Sequence, residues 1–206
     1  MTKRDAVGTP LIQVLEADLI RSLVSPPAAD PIHQKSIPIS ALNNVSHAEL
    51  QRPPYQQGLN TERMFQVSQM LRHHHLPIIT SHSIGGGYEL QFGRYIASHH
   101  YQNNTINIKL PVVSYDMDWQ PNDDSQNSLL LLNSITNLMK HNVLSTLEQA
   151  KAFQFLNTYF KLNQTEMAHY CGCSRSQVSN IQRLLTLPEP LLNDLEAGLI
   201  SSSHCR

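Results

Sequence analysis

A short stretch near the carboxyl end, residues 162–188, constrains the fold of this chain more than any other. Asn163 is followed three residues later by Glu166, which is the spacing of a capping box that opens a helix. Gly172 can adopt the left-handed backbone conformation that a tight turn between two helices requires. Ala168 is small enough to let two helices cross closely. The stretch therefore predicts a first short helix followed by a sharp turn.

The residues after the turn indicate a second helix with two different faces. Ser174 can cap its start, and Pro188 ends it. Helical spacing places an apolar inner face on Val178, Ile181 and Leu185. Two short helices joined by a glycine turn predict a helix-turn-helix over residues 163–187.

Packing of that inner face leaves a polar face turned outward. Arginine and asparagine are the side chains that pair with guanine and adenine edges in a major groove. The first helix would then cross the phosphate backbone with its positively polarised start. The predicted DNA-binding residues are Gln164, Thr165, Ser174, Arg175, Ser176, Ser179, Asn180 and Arg183. The alternative is a helical hairpin that binds no nucleic acid.

The charge balance limits how DNA could be bound. The chain has 15 lysines and arginines against 16 acidic residues, a formal net charge of -1, whereas proteins held by general phosphate attraction are strongly basic. Residues 161–187 carry three bases (Lys161, Arg175 and Arg183) and one acid (Glu166). We therefore expect one copy to bind weakly and useful specificity to need two copies, as in a homodimer on a two-fold site.

The rest of the chain divides by composition. Residues 1–35 are predicted to form an arm with an amphipathic helix over 11–23, which docks on its own domain or on a partner. Residues 36–115 are predicted to form a small mixed α/β domain, 116–128 a linker loop, and 129–206 a helical DNA-binding domain. The expected fold class is therefore α+β.

The local patterns also predict individual elements. In the α/β domain they predict a helix over 61–74, with Thr61 as its N-cap, and a turn at Gly85–Gly87. The predicted strands are 37–39, 77–80, 88–92 and a pair at 106–110 and 112–113. Helices over 129–141 and 146–160 open the helical domain.

Apolar runs and cysteines bear on the compartment. The longest aliphatic run is Leu129–Leu132, far short of the roughly 20 residues of a membrane span, and no secretion signal is apparent at the start. Three C-terminal cysteines do not make a disulfide framework. We expect a cytoplasmic protein with no membrane partner. His169, Cys171 and Cys173 lack a fourth ligand for zinc unless His204 or Cys205 folds back. We therefore expect the two cysteines to be buried around the turn and predict no metal site.

These motifs resemble the ParB family of plasmid and chromosome partition proteins from about Ile37 to the last residue. The match is specific in the DNA-binding half, at Leu144–Ala150, Ser174–Asn180, Arg183–Pro188 and Gly198–Arg206. The N-terminal half matches mainly in order, through strands like 37–39 and 87–89.

The resemblance implies a sequence-specific DNA-binding protein that acts in plasmid or chromosome partition at a centromere-like site. It would be associated with the nucleoid or a plasmid, and its N-terminal arm could contact a ParA-type ATPase through Lys3, Arg4 and the 11–23 helix. A helix-turn-helix transcriptional regulator of a plasmid or mobile element is the alternative. Family members usually continue into a dimerisation domain, which we expect this chain to lack because it ends at Arg206.

Family members also bind CTP through an arginine-rich segment after the glycine strand. Of that segment this chain keeps Gly93 and Arg94, and the family's metal and phosphate motif falls on Asn137–His141, where its acid and its arginine are missing. Because a triphosphate needs several cationic partners, we expect neither a CTP or Mg cofactor nor an enzymatic activity. A CTP-dependent DNA clamp that uses Gly93 and Arg94 is the second alternative.

Overall fold

The computed structural model describes residues 32–51, 61–73, 76–83, 86–103, 109–116, 119, 125–197 and 199–204. A mixed sheet and three helices form the first half of this part, and a run of helices forms the second half. The fold class is α+β, as predicted. The predicted amphipathic helix over 11–23 lies outside the described residues.

The sheet consists of β1 (Ile32–Pro38), β2 (Ile78–His82), β3 (Tyr88–Phe92) and β4 (Lys109–Tyr115), in the spatial order β1-β4-β2-β3. β1 pairs with β4 and β2 pairs with β3 in antiparallel fashion, whereas β2 and β4 run parallel. β4 is therefore a central strand. Its Leu110, Val112 and Val113 are fully buried, as the core of a sheet requires.

The strands differ from the sequence prediction most at β1 and β4. β1 begins at Ile32, so the arm predicted over 1–35 ends earlier than expected. The predicted strand pair is instead a single strand, β4, which runs through Pro111; residues 106–108 lie outside the described residues. Pro111 is tolerated because β4 pairs with β2 only from Val112 onward, so at Pro111 it has a single neighbouring strand.

The helices of the first half are α1 (His47–Leu50), α2 (Thr61–His73) and α3 (Arg94–Asn103). Val67 and Leu71 of α2 are buried. Thr61 is the first helical residue of α2 rather than its N-cap. The sequence did not reveal α3, because its Tyr95, Ile96 and Ala97 are all buried and show no spaced apolar stripe.

The helices of the second half are α4 (Ser125–Lys140), α5 (Thr146–Phe160), α6 (Gln164–Cys171), α7 (Arg175–Gln182) and α8 (Glu189–Glu196), with a 3-10 turn at Arg183–Thr186. α5 has the predicted bounds, whereas α4 begins four residues before the predicted 129, inside the expected linker. In the described part of the chain, no helix has the length and apolar character of a membrane span.

An aromatic cluster joins the sheet to α5. Phe155 of α5 contacts Phe92 and Tyr115 of the sheet, with ring centroids 5.9 and 5.6 Å apart. Trp119, which belongs to the predicted linker, is only 4% exposed and stacks on Tyr159 with centroids 6.4 Å apart. The two halves therefore share one apolar core.

Candidate DNA-binding site

The start of α6 is fixed by the predicted capping box. Oδ1 of Asn163 accepts hydrogen bonds from the backbone N–H groups of Thr165 (2.9 Å) and Glu166 (3.0 Å). Oε2 of Glu166 accepts one from the backbone N–H of Asn163 at 2.8 Å. These bonds satisfy N–H groups that have no partner within the helix, and they set where α6 begins.

The turn between α6 and α7 is closed by a left-handed glycine. Gly172 has a φ of +66°. The backbone N–H of Cys173 donates to the carbonyl of Ala168 at 3.0 Å, which closes the end of α6 in the manner of a Schellman motif. Ala168 is buried, as expected of a small residue where two helices cross.

α7 begins at a cap and turns its apolar face inward. Oγ of Ser174 accepts a hydrogen bond from the backbone N–H of Gln177 at 3.2 Å. Val178 is fully buried, and Ile181 is half-buried.

The inner face continues through Leu184, which is 3% exposed, rather than through the predicted Leu185, which is half-buried. The difference arises because the chain winds into the 3-10 turn after Gln182. With three residues per turn, the residue three after Ile181 faces inward.

The outer face of α7 lies open to solvent. Arg175, Ser176 and Arg183 are exposed, and Ser179 and Asn180 are half-buried. Within the described ranges, neither arginine takes part in an ion pair. Both guanidinium groups are therefore available to an anionic or hydrogen-bonding ligand.

The predicted DNA-binding residues at the start of α6 and at the cap of α7 differ in exposure and in their hydrogen bonds. Thr165 and Ser174 are exposed. Gln164 is half-buried, and its Nε2 donates to Oε1 of Gln182 at 3.1 Å. This side chain ties α6 to the end of α7, which the prediction of a phosphate contact did not include.

The predicted set of DNA-binding residues did not include Gln177. Its side chain is exposed on the first turn of α7, and a glutamine amide can pair with an adenine edge. The sequence could have indicated this residue, because Gln177 lies next to Val178 on the predicted second helix but does not belong to the apolar inner face. A polar cleft of about 360 Å³ runs from this turn to the start of α5, lined among others by Asn142, Thr146, Ser174, Gln177, Asn180 and Ser202.

The cysteines lie around the turn, as predicted. Cys171 is buried, and burial raises the pKa of its thiol to about 12. Burial also raises the pKa of the half-buried Cys173. Both side chains therefore remain protonated thiols at neutral pH, whereas metals bind the thiolate.

The two residues that the resemblance assigned to a cofactor lie at the start of α3. The backbone N–H groups of Gly93 and Arg94 both donate to Oε1 of Glu148, each at 3.0 Å. The guanidinium of Arg94 forms an ion pair with Oε1 of Glu49 at 2.9 Å. Each group that could hold a phosphate thus has a carboxylate partner within the chain.

Two short helices joined by a left-handed turn, the second with an open polar face, define a helix-turn-helix protein. Residues 142–206 match the family described as ParB HTH domain. The DNA-binding half of the chain is therefore similar to the ParB family.

Relatives with curated descriptions are also ParB proteins. A probable chromosome 1-partitioning protein ParB from Deinococcus radiodurans is 47% identical over 72 residues, which are 35% of this chain and 24% of that protein. A probable chromosome-partitioning protein ParB from Pseudomonas putida is 26% identical over 193 residues, which are 90% of this chain and 62% of that protein. The chain therefore spans less than two thirds of the length of these relatives.

A solved structure is also similar. The crystal structure of the C-terminally truncated chromosome-partitioning protein ParB from Caulobacter crescentus, complexed to the centromeric parS site, aligns over 82% of this chain and 81% of that one. The sequence identity is 23% and the TM-score is 0.36.

Proposed function

We propose that this chain binds duplex DNA sequence-specifically, with α7 in the major groove. The observation that carries the proposal is the open outer face of α7. There Arg175 and Arg183 have no ion-pair partner among the described residues. A guanidinium binds guanine O6 and N7 with two hydrogen bonds, and the amide of Asn180 suits adenine.

α6 would contact the phosphate backbone and so position α7 in the major groove. Its start carries the positive end of the helix dipole, and the exposed Thr165 hydroxyl lies there. Contacts of this kind fix the register of the helix in the groove but do not read the sequence. The tie between Gln164 and Gln182 would keep α6 and α7 at a fixed angle while both touch the duplex.

The small excess of positive charge argues for binding as a pair. Residues 161–187 offer three bases against one acid, too few for strong attraction by one copy. Two copies on a two-fold DNA site would add their contacts and double the number of bases read. We therefore infer a homodimer on DNA.

The biological role that fits best is partition. Two similar relatives are described as probable chromosome-partitioning proteins. We infer that the chain acts in the cytoplasm on a centromere-like site of a plasmid or chromosome. A ParA-type ATPase is the proposed partner of the arm over 1–35, most of which lies outside the described residues.

The proposal is tested by selecting bound duplexes from a random-sequence library and sequencing them. Wild-type protein should enrich one motif with two-fold symmetry. Arg175→Ala should lose preference at a base pair within each half-site, while Lys151→Ala, which removes the same charge from an exposed position on α5, should leave the motif unchanged. Failure of the wild-type protein to enrich any motif would overturn sequence-specific binding.

A further inference from the structure

One carboxylate, that of Glu148, caps two helices from different halves of the chain. Its Oε2 accepts a hydrogen bond from the backbone N–H of Ser145 at 2.9 Å, which closes the capping box of α5. Its Oε1 accepts from the backbone N–H groups of Gly93 and Arg94, 55 and 54 residues away along the chain, at the start of α3.

The second helix start distinguishes Glu148 from an ordinary capping residue. Glu166 occupies the equivalent place in the capping box of α6, yet within the described residues its carboxylate binds the start of that helix only. The backbone at Gly93 is held from the other side as well. It has a φ of +100°, and a Cβ there would lie 3.0 Å from Cγ2 of Ile78, so the chain runs tightly over β2 at this point.

The guanidinium of Arg94 also has a carboxylate partner within the chain. Arg94 pairs with Glu49, whose carboxylate further accepts from the backbone N–H of Ser46 at 2.7 Å and from its hydroxyl at 2.8 Å. The Ser46 hydrogen bonds and Arg94 lower the pKa of Glu49 to about 2, so this carboxylate is ionised at neutral pH. A nucleotide phosphate at the start of α3 would meet two carboxylates instead of a cluster of free cations.

These residues therefore do not fit the triphosphate of CTP. We infer that Glu148 is an internal anion that takes the place of a phosphate at the start of α3. It holds the sheet half of the chain to the DNA-binding half in one arrangement without a nucleotide. The inference concerns the contact between the halves and is independent of whether the outer face of α7 binds DNA.

The isosteric variant Glu148→Gln separates this role from simple helix capping. A glutamine presents one acceptor oxygen and one NH₂ group, so it cannot accept hydrogen bonds at both helix starts. Glu166→Gln is the matched control, because it changes the same kind of capping box on a helix that makes no second contact of this kind among the described residues.

The readout is amide hydrogen exchange followed by NMR, with Val113 in the centre of the sheet reporting global unfolding. We expect Glu148→Gln to speed exchange at Gly93 and Arg94 at least about tenfold beyond any change at Val113, and Glu166→Gln to leave both amides unchanged. CTP with Mg²⁺ at millimolar concentration should not shift the Gly93 and Arg94 signals of the wild-type protein.

Two results would overturn the inference. One is an equal change at Gly93, Arg94 and Val113 in Glu148→Gln, which would reduce the residue to a general contributor to stability. The other is a saturable shift of the Gly93 and Arg94 signals when CTP is added to the wild-type protein. Binding of DNA by Glu148→Gln is measured separately, so a failure of the DNA proposal is recognised on its own.

Discussion

The side-chain amide of Gln164 donates to the side-chain oxygen of Gln182 over 3.1 Å, linking the first residue of α6 to the last residue of α7. This bond spans the open end of the helix-turn-helix. The other end is closed by the turn at Gly172. The angle between the two helices is thus held at both ends.

A double-mutant cycle on Gln164 and Gln182 should therefore show coupling. Each single alanine variant should lower the free energy of unfolding, and the cycle should give an interaction energy of about 0.5–1.5 kcal/mol, as for a neutral hydrogen bond. Urea unfolding measures it. Gln177→Ala is the control: its side chain is exposed and makes no hydrogen bond or ion pair within the described ranges, so stability should be unchanged. Strictly additive effects at Gln164 and Gln182 would show that the bond does not hold the helices.

Replacement of Arg175 by alanine should weaken binding to the selected DNA site by about 1–3 kcal/mol, roughly 5- to 150-fold. The loss should be much smaller on random duplex, because a residue that reads bases contributes little where no cognate base is present. Fluorescence anisotropy at fixed salt concentration measures both affinities. An equal loss on both duplexes would place Arg175 on the phosphate backbone instead.

Alanine at Gly172 should destabilise the fold by about 1–2 kcal/mol, because a side chain at φ near +66° is strained. Space is not the cause, since a Cβ at this position would lie 3.8 Å from the nearest side-chain atom, on Lys140, which is ordinary contact. Gly172→Asn should cost less, because asparagine tolerates the left-handed region better. Urea denaturation of both variants checks the order. Equal stability of Gly172→Ala and the wild type would contradict it.

The 3-10 turn after α7 predicts different costs for two adjacent leucines. Leu184→Ala should lower the free energy of unfolding by about 2–4 kcal/mol, since it empties a buried position. Leu185→Ala should cost about 1 kcal/mol or less, because its side chain is half-buried. Thermal or urea unfolding of the pair measures the difference. The reverse order would mean that α7 continues as an α-helix through Leu185.

The carboxylate of Glu49 should make stability depend on acid pH. The backbone N–H of Ser46, then its hydroxyl and Arg94, lower the pKa of Glu49 from 4.5 to about 2. Because the folded-state pKa is the lower one, the carboxylate stabilises the fold fully above pH 4.5, and this contribution is lost as the pH falls toward about 2.

Glu49→Gln tests this pH dependence. The difference in melting temperature between the wild type and the variant should be largest above pH 5 and should shrink toward zero near pH 2, roughly the pKa values of the unfolded and folded states. Glu189→Gln, which changes an exposed carboxylate with no ion pair among the described residues, should show little such dependence. A difference that stays constant across this range would show that the Glu49 contacts do not form.

Patterns within a few residues predicted most of the helix-turn-helix. The capping box of Asn163, the glycine turn, the cap at Ser174 and the buried Val178 all follow from contacts within about one helical turn. Contacts between residues so near to each other in the sequence do not depend on the rest of the chain, so the sequence pattern already indicates them. For the same reason the bounds of α5 were predicted correctly.

Apart from the local 3-10 turn after α7, the main features that the sequence did not predict depend on distant partners. α3 is buried on several sides and so shows no helical stripe, and Trp119 joins the core because α5 brings Tyr159 to it. The bond from Arg94 to Glu148 spans 54 residues. By itself the sequence determined where α6 and α7 begin and which face of α7 is polar. Only the tertiary structure decided that the backbone N–H of Arg94 meets the carboxylate of Glu148, because packing of α5 on the sheet brings these two groups within hydrogen-bonding distance.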